Sequence, residues 1–151
     1  MTTFADGDDR ETIHATAVAI SGAGLLIRGK SGSGKSDLAL RLIDRGAILV
    51  SDDQVEISRK DQHLVLGPPP RLVGKLEVRS LGICAFDHLS AVQLKLIIDL
   101  KEQPDRFPLD RQMMILLGIQ VPSCTLNAME SSAAIKAELA LQRIMQGAKE
   151  S

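Results

Sequence analysis

The chain has 151 residues, 44% hydrophobic and 25% charged, with 18 Lys+Arg against 19 Asp+Glu for a formal net charge of −1. Such a length and composition suit one globular domain able to bury a core without disulfide or metal staples. The charge balance argues against a dedicated nucleic-acid or anionic-membrane binder, and three Phe with no Trp or Tyr leave an aliphatic core and few rings for stacking single-stranded bases.

Residues 1–10 are polar and acidic and predict a flexible tail; residues 11–151 are expected to form a single domain. Ile13 to Ile20 alternates, with Ile13, Ala15, Ala17 and Ala19 on one face and Val18 and Ile20 opposite. Gly22-Ala23-Gly24 reads as a turn, and Leu25-Leu26-Ile27 as a buried strand. The loop Gly29 to Gly34 precedes a helix over Ser36 to Arg45, where Leu38 and Leu42, and Ala39 and Ile43, pair at i,i+4. Gly46 is a stop. Ile48 to Val50 predicts a buried strand ending at Ser51-Asp52-Asp53. Val55 and Ile57, then Leu64 to Leu66, predict a hairpin. Pro68-Pro69-Pro70 is a stiff loop, and Gly67 to Lys75, with Arg71, is a candidate lid or partner-facing loop.

Leu76 to Ile83 carries Glu77 and Arg79 between apolar residues. Leu94 to Leu100 alternates as a strand, Pro104 to Asp110 reads as loop, and Met113 to Val121 as one more strand. Ser131 to Gln146 predicts a helix with an apolar stripe of Ala134, Ala137, Leu141, Ile144 and Met145. The class is α/β, with a mixed β-sheet. Cys84 and Cys124 stand alone, a pattern of neither disulfide framework nor zinc site. No signal peptide is legible and no apolar run reaches the ~18 residues of a membrane helix. A soluble, cytoplasmic protein is expected.

Gly29-Lys30-Ser31-Gly32-Ser33-Gly34-Lys35-Ser36 fits G-x-x-x-x-G-K-[ST] in full. Glycines let the backbone curl so that successive N–H groups face phosphate oxygens. The helix start adds the positive end of its dipole. In such a loop Lys35 reaches the β- and γ-phosphates, and the Ser36 hydroxyl is a Mg²⁺ ligand. ATP with Mg²⁺ is therefore the expected ligand. Asp52 and Asp53 follow the next strand, beside the loop, where one carboxylate can accept the proton of an attacking hydroxyl and the other hold metal or water. Glu77 could complete a Mg²⁺ shell and Arg79 neutralise transferring phosphate. His14, His63 and His88 share no metal spacing; His14 lies upstream of the loop.

Together these residues resemble the catalytic domain of the bacterial HPr kinase/phosphorylase family. The resemblance rests on Gly29 to Ser36, on Val50-Ser51-Asp52-Asp53, on Glu77-Val78-Arg79-Ser80-Leu81-Gly82-Ile83, and on His14 before the loop. It implies a phosphate-loop kinase domain of the HPr kinase and phosphoenolpyruvate carboxykinase type, a mixed sheet with flanking helices. It also implies ATP- and Mg²⁺-dependent phosphorylation of a serine on an HPr-type phosphocarrier, with reverse phosphorolysis in many members, and a homo-hexamer. Carried over, Asp52 is the general base, supported by His14; Asp53 is its neighbour; Ser36 and Glu77 hold metal; Lys35 and Arg79 act on phosphate.

Three departures are visible. Nothing corresponds to the family's N-terminal domain, so a short single-domain form is expected. Ser80 stands where Gly is usual. Gln120 to Asn127 keeps Pro122 and Asn127 of the P-V-R-P-G-R-N segment but no Arg, which bears on phosphorolysis and carrier recognition. The C-terminal helix is the expected subunit-packing element, with the carrier bound across a subunit boundary. Rival readings are a small-molecule kinase and a non-catalytic nucleotide sensor on the same core. Asp52, Asp53 and Glu77 together disfavour the sensor, which needs only the loop.

Overall fold

The computed structural model describes residues 9–104 and 112–150. Eleven strands, two α-helices and one 3-10 turn, Pro70–Leu72, are described: β1 Arg10–Ile13, β2 Thr16–Ile20, β3 Ala23–Arg28, α1 Lys35–Asp44, β4 Ile48–Ser51, β5 Val55–Lys60, β6 His63–Gly67, β7 Lys75–Val78, β8 Gly82–Ala85, β9 Val92–Leu100, β10 Met113–Leu116, β11 Ile119–Leu126 and α2 Ala133–Glu150. Nine strands form one mixed sheet in the order β1-β5-β6-β9-β3-β2-β4, with β11 added to β9 and β10 to β11; β7 and β8 pair apart from it.

Alternation along the strands divides two cores. Leu25 and Ile27 of β3, Leu96 and Ile98 of β9, and Val18 of β2 face one cluster with Leu38 and Leu42 of α1 and Ala137 and Leu141 of α2. Leu26, Ile97 and Ala15, Ala17 and Ala19 face the other, where they meet Val50 of β4, Val55 and Ile57 of β5, and Leu64 and Leu66 of β6. Strands from opposite ends of the sheet thus share a core, so the sheet curls. The three alanines leave room for that curl, since a large side chain at any of them would overfill it.

Strand direction positions the site. β3 and β9 run parallel, as do β9 and β11, and β2 is antiparallel to both β3 and β4. The carboxyl ends of β4, β3, β9 and β11 therefore open on one edge, together with the start of β2. Ligands of α/β sheets bind at such an edge.

The elements differ from expectation in several places. Residues 1–8 of the predicted tail and 105–110 of the predicted loop lie outside the described residues, while Arg10 already belongs to β1. The alternating run breaks at His14 and Ala15 into β1 and β2. The β2–β3 turn is Ser21-Gly22, with φ of +50° and +81°. Gly24 lies inside β3, where a Cβ would stand 2.6 Å from the Gln93 carbonyl oxygen; close strand approach, not a turn, requires that glycine. Met113 to Val121 is not one strand but the β10–β11 hairpin, turning at Leu117-Gly118 with φ of +47° and +80°. The apolar stripe of α2 covers the chain's own core, so it is not the subunit-packing surface expected of it; Ile135 and Leu139 stay exposed on another face. Among the described residues no helix is long and apolar enough to cross a membrane.

Candidate active site

The loop Gly29–Gly34 leaves the carboxyl end of β3 and enters α1. Gly32 and Gly34 hold φ of +82° and +101°, which L side chains avoid. A turn closes within the loop, the Ser33 amide donating to the Lys30 carbonyl at 3.0 Å. Gly34 is the N-cap of α1 and provides no side-chain cap. The first-turn amides of α1 thus have no side chain competing for them, the condition under which a helix start receives an anion. Ser33 Oγ is buried without a hydrogen-bond partner among the described residues. Lys35 is buried and folds back on the loop, Nζ donating to the carbonyls of Gly29 at 2.8 Å and Lys30 at 3.0 Å. Burial lowers its pKa, opposed by the negative charges of Asp53 and Asp52. A phosphate is a stronger partner for that ammonium than two neutral carbonyls.

Asp52, only 6% exposed at the end of β4, gathers the motifs. Its Oδ1 accepts from Ser36 Oγ at 2.6 Å and from Thr16 Oγ1 at 2.9 Å; its Oδ2 accepts from the Glu77 backbone amide at 3.1 Å. Ser36 at the end of the phosphate loop, Asp52 of the double aspartate and Glu77 of β7 therefore meet at one carboxylate. Thr16 was not singled out from the sequence. Its signal was a lone hydroxyl at the start of an otherwise apolar strand, and it is fully buried.

Asp53 differs from its neighbour. It is exposed, holds φ of +71° and lies 3.3 Å from His14 Nδ1. His14 therefore pairs with Asp53 and not with Asp52, because the β1–β2 break turns its side chain to the outer rim. Glu77 meets Asp52 through its main chain, while its side chain is exposed. Arg79 and Ser80 form the exposed β7–β8 turn, and Ser80 has φ of +75°. Lys30 and Ser31 are exposed at the tip of the loop. Arg71 donates to Gln54 Oε1 at 2.6 Å, which ties the proline-containing connection to the residue after Asp53.

Among the described residues no cluster of three His, Cys, Asp or Glu side chains could hold a metal. Mg²⁺ at nucleotide sites is bound by one or two protein ligands, phosphate oxygens and water. The Ser36 hydroxyl, held at the helix start by the Asp52 carboxylate, fits that donor set as one protein ligand.

Residues 7–148 match the family model described as HPr Serine kinase C-terminal domain. The HPr kinase/phosphorylase of Geobacillus thermodenitrificans strain NG80-2 is 39% identical, the match covering 76% of this chain and 41% of that protein. HPr kinase/phosphorylase 1 of Oceanobacillus iheyensis is 40% identical, covering 75% and 41%. The solved Hpr(Ser) kinase/phosphatase from Coxiella burnetii superposes with a TM-score of 0.79 at 30% identity, covering 93% of this chain and 99% of that one. The match thus spans about two fifths of the length of these curated relatives. By sequence, by fold and by the phosphate loop, double aspartate and Glu-Val-Arg strand gathered at Asp52, the chain belongs to the HPr serine kinase C-terminal domain family.

Proposed function

We propose that this chain transfers the γ-phosphoryl group of ATP to a serine hydroxyl of an HPr-type phosphocarrier protein, with Mg²⁺. The observation that carries the proposal is the Asp52 carboxylate, which joins Ser36 of the phosphate loop to the Glu77 strand. In this reading the loop amides and Lys35 bind the β- and γ-phosphates, Lys35 leaving the Gly29 and Lys30 carbonyls to do so. Ser36 and Glu77 would hold Mg²⁺, which when bound would supply positive charge against the phosphates. Asp52 takes the proton of the incoming serine as its oxygen bonds to the γ-phosphorus. The bond from that phosphorus to the β-bridging oxygen breaks, and ADP leaves with the electron pair. Arg79, exposed at the rim, neutralises charge on the moving phosphoryl group. Incubating phosphoserine-HPr with inorganic phosphate and the chain tests the reverse phosphorolysis.

A second reading of the base has its own observation. Asp53 is exposed where a carrier serine arrives and has His14 at 3.3 Å to hold it, whereas Asp52 is buried and already accepts three hydrogen bonds. In that reading Asp52 steadies Ser36 and the metal, and Asp53 takes the proton. Parallel turnover of Asp52→Asn and Asp53→Asn separates the two.

The proposal includes a cytoplasmic location and a homo-hexamer with the carrier bound across a subunit boundary. Ile135 and Leu139, exposed one helical turn apart on α2, are available for packing in such an assembly. Light scattering with and without Mg-nucleotide tests it: a hexamer mass is expected, and a monomer mass with full kinase activity contradicts it. The transfer itself is tested by incubating the chain with HPr and Mg-ATP. Phosphoserine on HPr is expected; transfer only to small metabolites would favour the rival kinase reading.

A further inference from the structure

The order β4-β2-β3-β9-β11 puts Asp52 and Asp53 on one flank of the phosphate loop and the segment after β11, residues 127–130, on the other. A triphosphate whose γ end lies toward Asp52 and Ser36 leaves its nucleoside toward that second flank.

The second flank is in contact with the loop. A Cβ on Gly34 would stand 2.9 Å from Ala128 Cβ and 3.5 Å from Met129 Cε. Met129 is 72% exposed, yet its backbone is firmly held. Arg41, on α1, donates from Nη2 to the Ala128 carbonyl and from Nη1 to the Glu130 carbonyl at 3.2 Å. The Met129 amide donates to Asn127 Oδ1 at 2.9 Å, and Asn127 Nδ2 donates to the Glu102 carbonyl at 3.1 Å. Lys136 pairs with Glu130 at 2.9 Å. A solvated apolar side chain gains nothing from such anchoring unless something covers it.

The geometry points to Met129 as the platform for the nucleotide base, a specificity-determining contact that separates ATP from base-free phosphate donors. This deepens the proposed kinase reading and rests on it. A thioether is polarizable and packs favourably on a flat π face, and the chain has neither Trp nor Tyr to do so instead. Arg41 acts as a positioning residue, fixing the platform to the same helix whose start receives the phosphates.

Calorimetric titration with Mg-ATP and with Mg-tripolyphosphate, which lacks a base, tests this on the full chain. Met129→Ala is expected to weaken Mg-ATP about fivefold and to leave Mg-tripolyphosphate within about twofold. Lys35→Ala weakens both. Unchanged Mg-ATP affinity in Met129→Ala, or equal losses for the two probes, overturns the assignment. Absence of binding of either probe to the parent chain overturns the kinase reading itself, and this inference with it. Met129→Trp places a single tryptophan in the chain; its fluorescence should respond to Mg-ATP and not to Mg-tripolyphosphate, and a silent response to Mg-ATP contradicts the contact.

Discussion

Asp52 and Asp53 are adjacent in sequence and opposite in environment, one buried and bonded to Ser36, Thr16 and the Glu77 amide, the other exposed beside His14. Asp52→Asn retains one acceptor oxygen but presents either an amide donor to the Glu77 amide or the same donor to two hydroxyls. It should lose ~10²–10⁴-fold in turnover and about 1–3 kcal/mol of stability, with Mg-ATP affinity kept within a few-fold; kinetics and urea unfolding read the two effects separately. Lys35→Ala should weaken Mg-ATP binding and turnover together. Lys35 also sets a pH dependence. Its folded-state pKa is lowered from 10.5 by burial, so the cost of burying its charge is present at neutral pH and is relieved as pH rises from the lowered value toward 10.5. Bound phosphate favours the charged form, so Mg-ATP affinity should fall in that alkaline window, as titration over pH would record. Cys124 behaves oppositely. Burial first, and Asp99 second, push its thiol up from 9.0 to about 11. The folded chain keeps that proton while the unfolded chain loses it, so its stabilising contribution is intact below pH 9.0 and is lost as pH rises through about 11. That loss, about 2–3 kcal/mol, should be missing from urea unfolding of Cys124→Ala.

At the scale of elements, the β7–β8 turn carries a testable strain. Ser80 holds φ of +75°, a region that costs a residue with a Cβ about 1–2 kcal/mol. Offset by the entropy that glycine loses on folding, Ser80→Gly should stabilise by about 0.5–1 kcal/mol, seen as a higher melting temperature. Unchanged melting would mean the turn already relaxes around Ser80. Gly34 is the reverse case: its φ of +101° and the 2.9 Å approach to Ala128 Cβ mean that Gly34→Ala should shift the loop and abolish Mg-ATP binding measured by titration. Local pattern was a good guide where one element decides its own form. The i,i+4 pairs of α1 and the β5–β6 hairpin follow directly from Leu38/Leu42 and from Val55, Ile57 and Leu64 to Leu66. It misled where a neighbour decides. Gly24 looks like turn material but is required by the approach of β9. Leu117-Gly118 hides a hairpin because Leu is not a usual turn residue, and only the left-handed backbone there reveals it.

At the scale of the molecule, the sequence order of the motifs says nothing of their spatial order, because β4 reaches β3 only through β2, and β11 reaches it only through β9. The phosphate loop, Asp52, Asp53 and Glu77 were legible as chemistry. The convergence of Ser36 and Glu77 on the Asp52 carboxylate, the pairing of His14 with Asp53, and the placement of residues 127–130 against Gly34 depend on long-range pairing that no local window contains. The apolar stripe of α2 was legible too, but periodicity cannot tell a stripe that covers its own sheet from one that covers another subunit; here Ala134, Ala137 and Leu141 cover the sheet. Phosphoryl transfer from ATP to a carrier serine through the Asp52 site is the activity proposed for this chain. Mass spectrometry of HPr after incubation with Mg-ATP and the purified chain, parent against Asp52→Asn, tests it most directly. One phosphoserine on HPr is expected with the parent chain, and a rate lower by ~10²–10⁴-fold with Asp52→Asn; unmodified HPr in the presence of a chain that binds Mg-ATP, or equal rates for the two chains, would overturn the proposal.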